Sequence, residues 1–276
     1  MTAPLPLDSH VHTDQSPDSR VPIDVYAALA LEQGLSEIAI TDHVDFDPRD
    51  PAYGYTTYAD RERVVRDAAE RWGSRGVTIR FGAEMTWNRL WEAEFREHRR
   101  AHRYDYVIGS VHDWPGSPYR RTDVGSWIAG RPLDEIVAPY YKEVMAGVRA
   151  GVFDTIGHLD VVKRYLHPFV TAADLADRPE ILEPVLHAIV DSGVALEVNT
   201  SGLYHPGEET YPSAATVARY HELGGRRVVA GSDAHRADRL AHRFDEARRI
   251  IVEAGFEGLA FRRADRRVSI PLSVPA

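Results

Sequence analysis

The sequence predicts an α/β fold in which parallel strands close into a barrel of the TIM type. Short apolar runs alternate with longer amphipathic stretches along the 276 residues, and this alternation is typical of βαβ units that build a parallel sheet. Seven such units, followed by a short apolar run at 259–263, suit a closed barrel. An open doubly wound sheet is the alternative, but no glycine-rich phosphate loop follows any strand candidate.

The individual elements follow from the apolar runs and from the residues that bound them. The strand candidates are short apolar runs that end in polar residues, and they cover 6–12, 37–43, 77–84, 106–112, 154–160, 195–201 and 228–235. The helix candidates lie near 22–33, 57–73, 91–102, 134–149, 172–191, 213–223 and 237–254. Proline suits the helix starts at Pro22 and Pro212, and glycine suits the helix ends at Gly34, Gly193, Gly224 and Gly255.

The composition indicates a soluble protein that can bury a full core. Hydrophobic residues make up 43% and charged residues 27% of the chain, and no apolar run is long enough to span a membrane. The N-terminus lacks the pattern of a signal peptide, so we expect a cytoplasmic protein. The absence of cysteine excludes disulfides, thiolate metal sites and a cysteine nucleophile. The formal net charge of −9 argues against nucleic acid as a partner, and an anionic substrate would need a local positive feature.

Each strand candidate ends in side chains that can bind a metal or a polar substrate. In chain order these are His10 and His12, Asp42 and His43, Glu84, His112, His158 and Asp160, Asn199 and Ser201, and Asp233 and His235. The carboxyl ends of barrel strands face one mouth, so we expect these residues to converge. Histidine and carboxylate ligands suit Zn, Mn or Fe ions with open positions for water. The set is too large for one ion, which indicates two or three ions bridged by a carboxylate.

A single histidine at a strand end is more often an ordinary buried or surface residue than a ligand. What favours a metal site is the common location, because ionisable side chains packed together without a metal would be costly to desolvate. Two further histidines, His167 and His205, lie in loops and are compatible with either role. We expect no metal role for the histidines on helix candidates, which are His98, His102, His187, His221 and His242. The charge-rich stretch 94–103 is most simply a solvated helix face.

Six motifs follow one another along the chain: DSHVHTDQSPDS at 8–19, ITDHVDF at 40–46, GAEM at 82–85, GSVH at 109–112, GHLD at 157–160 and GSDAH at 231–235. In this order they resemble the motifs of the PHP (polymerase and histidinol phosphatase) superfamily of metal-dependent phosphoesterases. Four further stretches resemble its histidinol-phosphatase branch: HLDVVKRY at 158–165, LEVNTSGLY at 196–204, YPS at 211–213 and RRADRRVSIPL at 262–272.

The resemblance implies a distorted TIM-like (β/α)7 barrel, in one PHP-type phosphoesterase domain over 1–276, with a metal site at the carboxyl ends of the strands. By position in the motifs, the first ion would be held by His10, His12, Glu84 and Asp233. Glu84 would bridge to a second ion that is completed by His112 and His158. A third ion would be held by Asp18, His43 and His235, with Asp14 as the alternative to Asp18. The cofactors would be two to three divalent ions of Zn, Fe or Mn, and Asp8, Asp42 and Asp160 would orient ligand imidazoles.

The resemblance also implies hydrolysis of a phosphate monoester, namely L-histidinol phosphate in histidine biosynthesis, through attack by metal-activated hydroxide. The catalytic residues would be Glu84, Asp233 and His235, and the acid that protonates the leaving group stays open between the last two. We expect the phosphate and the rest of the substrate to contact Lys163, Arg164, Asn199 and Ser201.

Three alternatives remain beside this hypothesis. A PHP phosphoesterase could act instead on nucleotides or other small phosphate esters. An amidohydrolase would share the barrel metals, but it usually carries a bridging lysine at a strand end, which the seven candidates lack. A metal-free module that only binds a partner would not need the intact ligand set. We therefore expect a small phosphorylated substrate as the partner, and the oligomeric state stays open.

Overall fold

A computed structural model describes residues 5–114, 116–117, 124–176 and 178–272. Its main sheet contains the strands β1 (Leu7–Val11), β2 (Glu37–Ile40), β3 (His43–Val44), β4 (Thr78–Thr86), β5 (Tyr106–Ser110), β6 (Thr155–Ile156), β7 (Ala195–Asn199) and β8 (Val228–Gly231). The order is β1-β2-β4-β5-β6-β7-β8, with the short β3 beside β4, and every pairing is parallel.

The sheet closes nearly into a barrel where the chain after β8 returns to β1. The backbone N–H of His12 donates to the carbonyl of Ala234 at 2.9 Å, and the N–H of Ala234 donates to the carbonyl of His10 at 3.3 Å. The predicted fold class, a TIM-like barrel of seven parallel strands, is therefore confirmed.

Helices cover the outside of the barrel. They are α1 (Ile23–Gln33), α2 (Tyr58–Gly73), α3 (Glu92–Ala101), α4 (Val124–Ile128), α5 (Leu133–Ala150), α6 (Val162–Leu166), α7 (Ala172–Ala176), α8 (Pro179–Ser192), α9 (Ala214–Glu222) and α10 (Phe244–Glu253). Gly34 ends α1 in the left-handed conformation with φ of 77°, which matches the predicted helix end. Among the described helices, none is both long and apolar enough to cross a membrane.

Three predicted elements differ from the structure. The helix expected over 172–191 is two helices, α7 and α8, because Pro179 occupies the first turn of α8, where its missing N–H is tolerated. The helix expected over 237–254 begins only at Phe244, since Ala241 and Arg243 adopt left-handed φ values of 50° and 55°. The strand expected over 154–160 is only two residues long, Thr155–Ile156.

The run at 259–263 does not join the barrel. It lies within β9 (Gly258–Arg263), which pairs in antiparallel fashion with β10 (Arg266–Pro271). This hairpin packs on the amino-terminal end of the barrel, where the ring of Phe261 lies 4.5 Å from that of Tyr106. Leu7 and Val229 belong to the same apolar cluster. The hairpin therefore covers the end opposite the predicted metal site.

Candidate metal centre

The predicted metal ligands converge at the carboxyl end of the barrel. His10 lies on β1 and Glu84 on β4, while His112, His158 and Asp233 shortly follow β5, β6 and β8. Several of them line a cavity of about 730 Å³ at this mouth. Convergence follows from the fold, because parallel strands bring their carboxyl ends to one side.

Four ligand atoms form the innermost cluster. The Oδ1 atom of Asp233 lies 3.6 Å from Nε2 of His10 and 3.3 Å from Nε2 of His12. The Oε2 atom of Glu84 lies 3.4 Å from each of these nitrogens. Ligands around a tetrahedral zinc ion, with bonds of about 2.05 Å, would lie about 3.3 Å apart. The cluster therefore has the spacing that a divalent ion needs.

Three atoms of this cluster are buried and have no hydrogen-bond partner. They are Nε2 of His10, Nε2 of His12 and Oε2 of Glu84. Both histidines are fully buried, and Glu84 is only 1% exposed. Buried polar atoms are nearly always paired, because an unsatisfied one costs about 1–3 kcal/mol. A metal ion is a partner that all three atoms could share.

Glu84 connects this cluster to a second one. Its other oxygen, Oε1, lies 3.3 Å from Nε2 of His112 and 2.9 Å from Nε2 of His158. The two nitrogens are 3.2 Å apart. A carboxylate with one oxygen in each cluster can bridge two ions about 3.5–4 Å apart, as in two-metal hydrolases. These two clusters have the composition that the motifs predicted.

A third cluster lies nearer the solvent. The Oδ2 atom of Asp18 lies 3.1 Å from Nε2 of His43 and 3.1 Å from Nε2 of His235. The exposed Asp14 instead accepts a hydrogen bond from Gln15. The side chain of Asp18 is 48% exposed, against 1% for Glu84. The geometry thus favours Asp18 over Asp14, and this cluster is the most open of the three.

The electrostatics of the innermost cluster suit a cation. Burial would raise the pKa of Glu84, but the charges of His10, His112 and His43 outweigh it and hold that pKa well below its usual range. Burial, with the neighbouring rings of His235 and His43, lowers the pKa of His12 to about 3. Glu84 is therefore ionised and His12 is neutral, which are the protonation states that bind a metal. Burial lowers the pKa of His10, but the charges of Glu197, Asp233 and Glu84 outweigh it and hold that pKa well above its usual range, so a metal would displace one proton from His10.

Glu197, on β7, orients His10 from behind. Its Oε1 atom lies 2.7 Å from Nδ1 of His10, and its Oε2 atom accepts the backbone N–H of His158 at 2.8 Å. With the proton on Nδ1, Nε2 of His10 keeps a free lone pair for a metal. Gly231 permits this arrangement, because a Cβ there would lie 2.5 Å from Cβ of His10. Glu197 was not among the predicted site residues, although a glutamate within the apolar run ALEVN indicates a buried carboxylate with a specific partner.

The three carboxylates expected to orient imidazoles hold loops instead. Asp8 accepts hydrogen bonds from the backbone N–H groups of Ser232 and Ala241. Asp42 accepts from the N–H and hydroxyl of Thr13 and from the hydroxyl of Ser16. Asp160 pairs with Lys163 at 3.0 Å. That expectation is therefore wrong in its detail: Asp8 and Asp42 shape the backbone around the ligands.

We expect Glu197→Gln to lower metal affinity or kcat/KM by about 10–100-fold, because the neutral amide orients and polarises His10 less well. Metal content measured by mass spectrometry, together with steady-state kinetics, checks this. The exposed Glu70 offers a matched control, and Glu70→Gln should change neither quantity. Unchanged metal affinity and unchanged kinetics in Glu197→Gln would exclude the orienting role.

Of the four predicted substrate contacts, only Arg164 lines the main cavity. Lys163 is 5% exposed and pairs with Asp160 and with Glu209, the latter at 3.2 Å. Neighbouring residues on a helix point in different directions, so α6 turns Lys163 away from the centre. Arg164 forms no ion pair with any residue of the described ranges. Its guanidinium lies over the ring of Tyr165, 5.8 Å from the ring centroid, and can still donate hydrogen bonds to an anion. The structure thus favours Arg164 over Lys163 for phosphate.

Asn199 and Ser201 support the ligands and do not line the cavity. The hydroxyl of Ser201 lies 2.6 Å from Oδ1 of Asn199 and 3.2 Å from Oδ2 of Asp233. The amide nitrogen of Asn199 donates to Glu197 at 3.0 Å. These hydrogen bonds fix Glu197 and Asp233, and the expected direct contact of Asn199 and Ser201 with substrate stays a prediction.

Further residues of the cavity wall were left open by the sequence or were not predicted. Tyr204, His205 and Arg239 line the cavity together with Asp50. The guanidinium of Arg239 stacks on the ring of Tyr204 at 4.4 Å. Burial and the charge of Arg164 lower the pKa of His205 to about 4, so this ring is neutral at pH 7. The wall thus combines arginine with aromatic and acidic side chains.

Comparison with known proteins identifies a matching family and several similar relatives. A family model described as PHP domain matches residues 8–201. A probable histidinol-phosphatase of Deinococcus radiodurans is 30% identical, over 92% of this chain and 96% of the relative. A histidinol-phosphatase of Lactococcus lactis subsp. lactis is 28% identical, over 92% of this chain and 93% of the relative.

The solved structures include a histidinol phosphate phosphatase from Lactococcus lactis subsp. lactis, complexed with zinc, L-histidinol and phosphate. It superposes with a TM-score of 0.82 at 25% identity and covers 97% of this chain and 100% of that one. The family model matches most of this chain, and the family's motif residues meet at the mouth of the barrel. The chain belongs to the PHP domain family.

Proposed function

We propose that this protein hydrolyses L-histidinol phosphate to L-histidinol and phosphate, with two to three divalent ions of Zn, Fe or Mn at the mouth of the barrel. The observation that carries the proposal is the pair of ligand clusters that share Glu84. The similarity to relatives named histidinol-phosphatase over more than nine tenths of the chain supports the choice of substrate. A cytoplasmic location accords with a biosynthetic role and with the absence of cysteine.

Hydrolysis requires a nucleophile derived from water to approach a phosphate dianion, whose negative charge repels that nucleophile. Bound divalent ions would supply positive charge and an activated water. Glu84 would hold the inner two ions at a fixed separation, and Glu197 would keep His10 in the tautomer that binds one of them. Asp233, fixed by Ser201, would complete the innermost cluster. We propose that the nine predicted metal ligands hold the two to three ions.

Arg164 would bind the phosphate from outside the metal ligands. Its guanidinium lines the same cavity as Glu84, His112 and His158, and arginine suits bidentate contact with phosphate oxygens. Tyr204 and His205 would flank the imidazole of the substrate, and Asp50 would face its amine. The residues that would recognise the substrate therefore differ from those that would bind the metal ions.

We expect Arg164→Ala to raise KM by about tenfold or more, because a hydrogen bond to a charged group is lost, while the metal content stays that of the unmodified protein. Kinetics and metal analysis on the same preparations check this. Arg63→Ala, at an exposed arginine on α2, is the control. A KM that stays unchanged in Arg164→Ala would retire the phosphate role.

The substrate is tested by phosphate release from a panel of L-histidinol phosphate, nucleotides and sugar phosphates, each with Zn, Mn and Fe. We expect the highest kcat/KM with L-histidinol phosphate. Faster release from a nucleotide would overturn the choice of substrate while leaving the phosphoesterase chemistry in place. The absence of phosphate release from every ester would overturn both.

A further inference from the structure

An arginine-lined cavity lies at the amino-terminal end of the barrel, opposite the metal centre. We propose that it is a second anion-binding site, which takes a small organic polyphosphate of the nucleoside di- or triphosphate class. The two cavities share no lining residue among the described parts of the chain. This site is therefore independent of the proposed phosphatase activity.

Five arginines surround this cavity of about 390 Å³, three from α3 and two from the hairpin of β9 and β10. They are Arg96, Arg99, Arg100, Arg262 and Arg267. The loop from Gly151 to Asp154 completes the wall, and Asp154 is the single acidic residue that lines it in the described chain. The fold thus brings two arginine-rich stretches, far apart in sequence, to one concave surface.

The positive charge of this cavity is only partly neutralised. Arg262 pairs with Asp154 at 2.7 Å, and Arg96 pairs with Glu92 at 2.7 Å. Within the described ranges, Arg99, Arg100 and Arg267 form no ion pair with a carboxylate.

These three arginines donate instead to backbone carbonyls. Arg99 donates to Val152 at 3.1 Å, Arg100 to Arg96 at 3.2 Å and Arg267 to Gly193 at 3.0 Å. Three uncompensated guanidiniums around one cavity stand out in a chain of net charge −9. The structure holds them in place without neutralising them.

The lowered pKa of Arg99 shows that burial and the neighbouring positive charges disfavour its charged form. Burial lowers the pKa of Arg99, and the nearby charges of Arg262 and Arg103 lower it further, although Asp154 opposes them. A bound polyanion would remove this repulsion by sharing its oxygens among several guanidiniums, each of which can donate two parallel hydrogen bonds to a phosphate group.

An adjoining cavity of about 310 Å³ offers space for the organic part of the ligand. It shares Asp154, Arg262 and Arg267 with the arginine cavity. Its wall includes the buried residues Tyr106 and Phe261 and two further arginines, Arg226 and Arg227. Arginines thus line both cavities, and in the second they lie beside two aromatic side chains. This combination matches a polyphosphate attached to an organic ring system, whereas an extended nucleic acid needs a groove that tracks its backbone.

The test is calorimetric titration of the metal-loaded protein with tripolyphosphate and with the β,γ-methylene analogue of ATP. The pocket variant is Arg100→Gln with Arg267→Gln, two exposed positions outside the metal centre. Arg63→Gln with Arg249→Gln, on the exposed faces of α2 and α10, removes the same charge elsewhere. Melting temperatures of all variants confirm folding.

We expect two classes of site in the unmodified protein, one at the metal centre and one in the arginine cavity. The pocket variant should weaken the second class by about tenfold or more, with the first class and kcat/KM unchanged, and the control variant should retain both classes. The ATP analogue should bind the cavity at least as tightly as tripolyphosphate.

Equal binding by the pocket variant and the unmodified protein would overturn the proposal, as would an equal loss in the control variant. Much weaker binding of the ATP analogue than of tripolyphosphate would contradict the organic part of the ligand. Tighter binding of a single-stranded oligonucleotide, lost in the pocket variant, would replace the small molecule with a nucleic acid. Each result can be obtained whether or not the protein hydrolyses L-histidinol phosphate.

Discussion

Glu84→Gln should lower kcat/KM for L-histidinol phosphate by about 10³-fold, equivalent to about 4 kcal/mol of transition-state stabilisation. The reason is that Glu84 has one oxygen in each of the two inner clusters. Glutamine keeps the size of the side chain, but its neutral amide offers one oxygen and no charge. Two ions would then lose their common ligand, and the metal content per chain should fall. Kinetics and mass spectrometry on the same sample measure both effects.

A matched control is Glu37→Gln. Glu37 is also buried, but it lies at the start of β2 and pairs with Arg80 and Arg263 at the other end of the barrel. Its replacement should reduce stability and leave the metal content intact. If Glu84→Gln retained full metal content and full activity, Glu84 would not be the bridging ligand.

Removal of the metal by a chelator should lower the rate of phosphate release by about 10³-fold or more, and addition of Zn or Mn should restore that rate. It should also lower the melting temperature, because ligands that bind only the folded state contribute about 4 kcal/mol at a thousandfold excess over Kd. Without an ion, Nε2 of His10, Nε2 of His12 and Oε2 of Glu84 stay buried without a partner. Calorimetry and a phosphate assay on the same chelated sample measure the two effects. Full activity in protein from which metal has been removed would contradict the metal mechanism.

The convergence of the candidate metal ligands could be predicted from the sequence because the barrel converts order along the chain into position in space. Every strand end except that of β7 carries one or two of the predicted ligands, and parallel strands bring these ends to a single mouth. A pair such as His10 and His12 is little above chance in a chain with 13 histidines. We could interpret His10 and His12 as candidate metal ligands only because the other strand ends carry further candidate ligands. The strand ends indicated only that some carboxylate bridges the ions, and the choice of Glu84 came from the resemblance to the PHP superfamily.

The residues behind and above the metal ligands could not be predicted in the same way. Lys163 and Arg164 are neighbours in sequence, and only the direction of α6 decides which one faces the cavity. Glu197 occupies the middle of an apolar strand, where its contact with His10 depends on the approach of β8 at Gly231. Such roles depend on tertiary packing, which no local pattern records.

The arginine cavity illustrates a related gap. The segment 94–103 is, by its pattern alone, a solvated helix face, and the arginines after 261 belong to a separate stretch of the chain. The hairpin of β9 and β10 brings the two together below the barrel. The positive charge of either segment is ordinary by itself, but the fold brings the arginines of both segments around one cavity.

Anomalous X-ray scattering from crystals of the metal-loaded protein with phosphate would show whether two ions share Glu84 at the mouth of the barrel. We expect one metal between Asp233, His10, His12 and Oε2 of Glu84, a second between Oε1 of Glu84, His112 and His158, and phosphate within reach of Arg164. Metal peaks away from these atoms, or phosphate bound at a distance from both ions, would contradict this expectation.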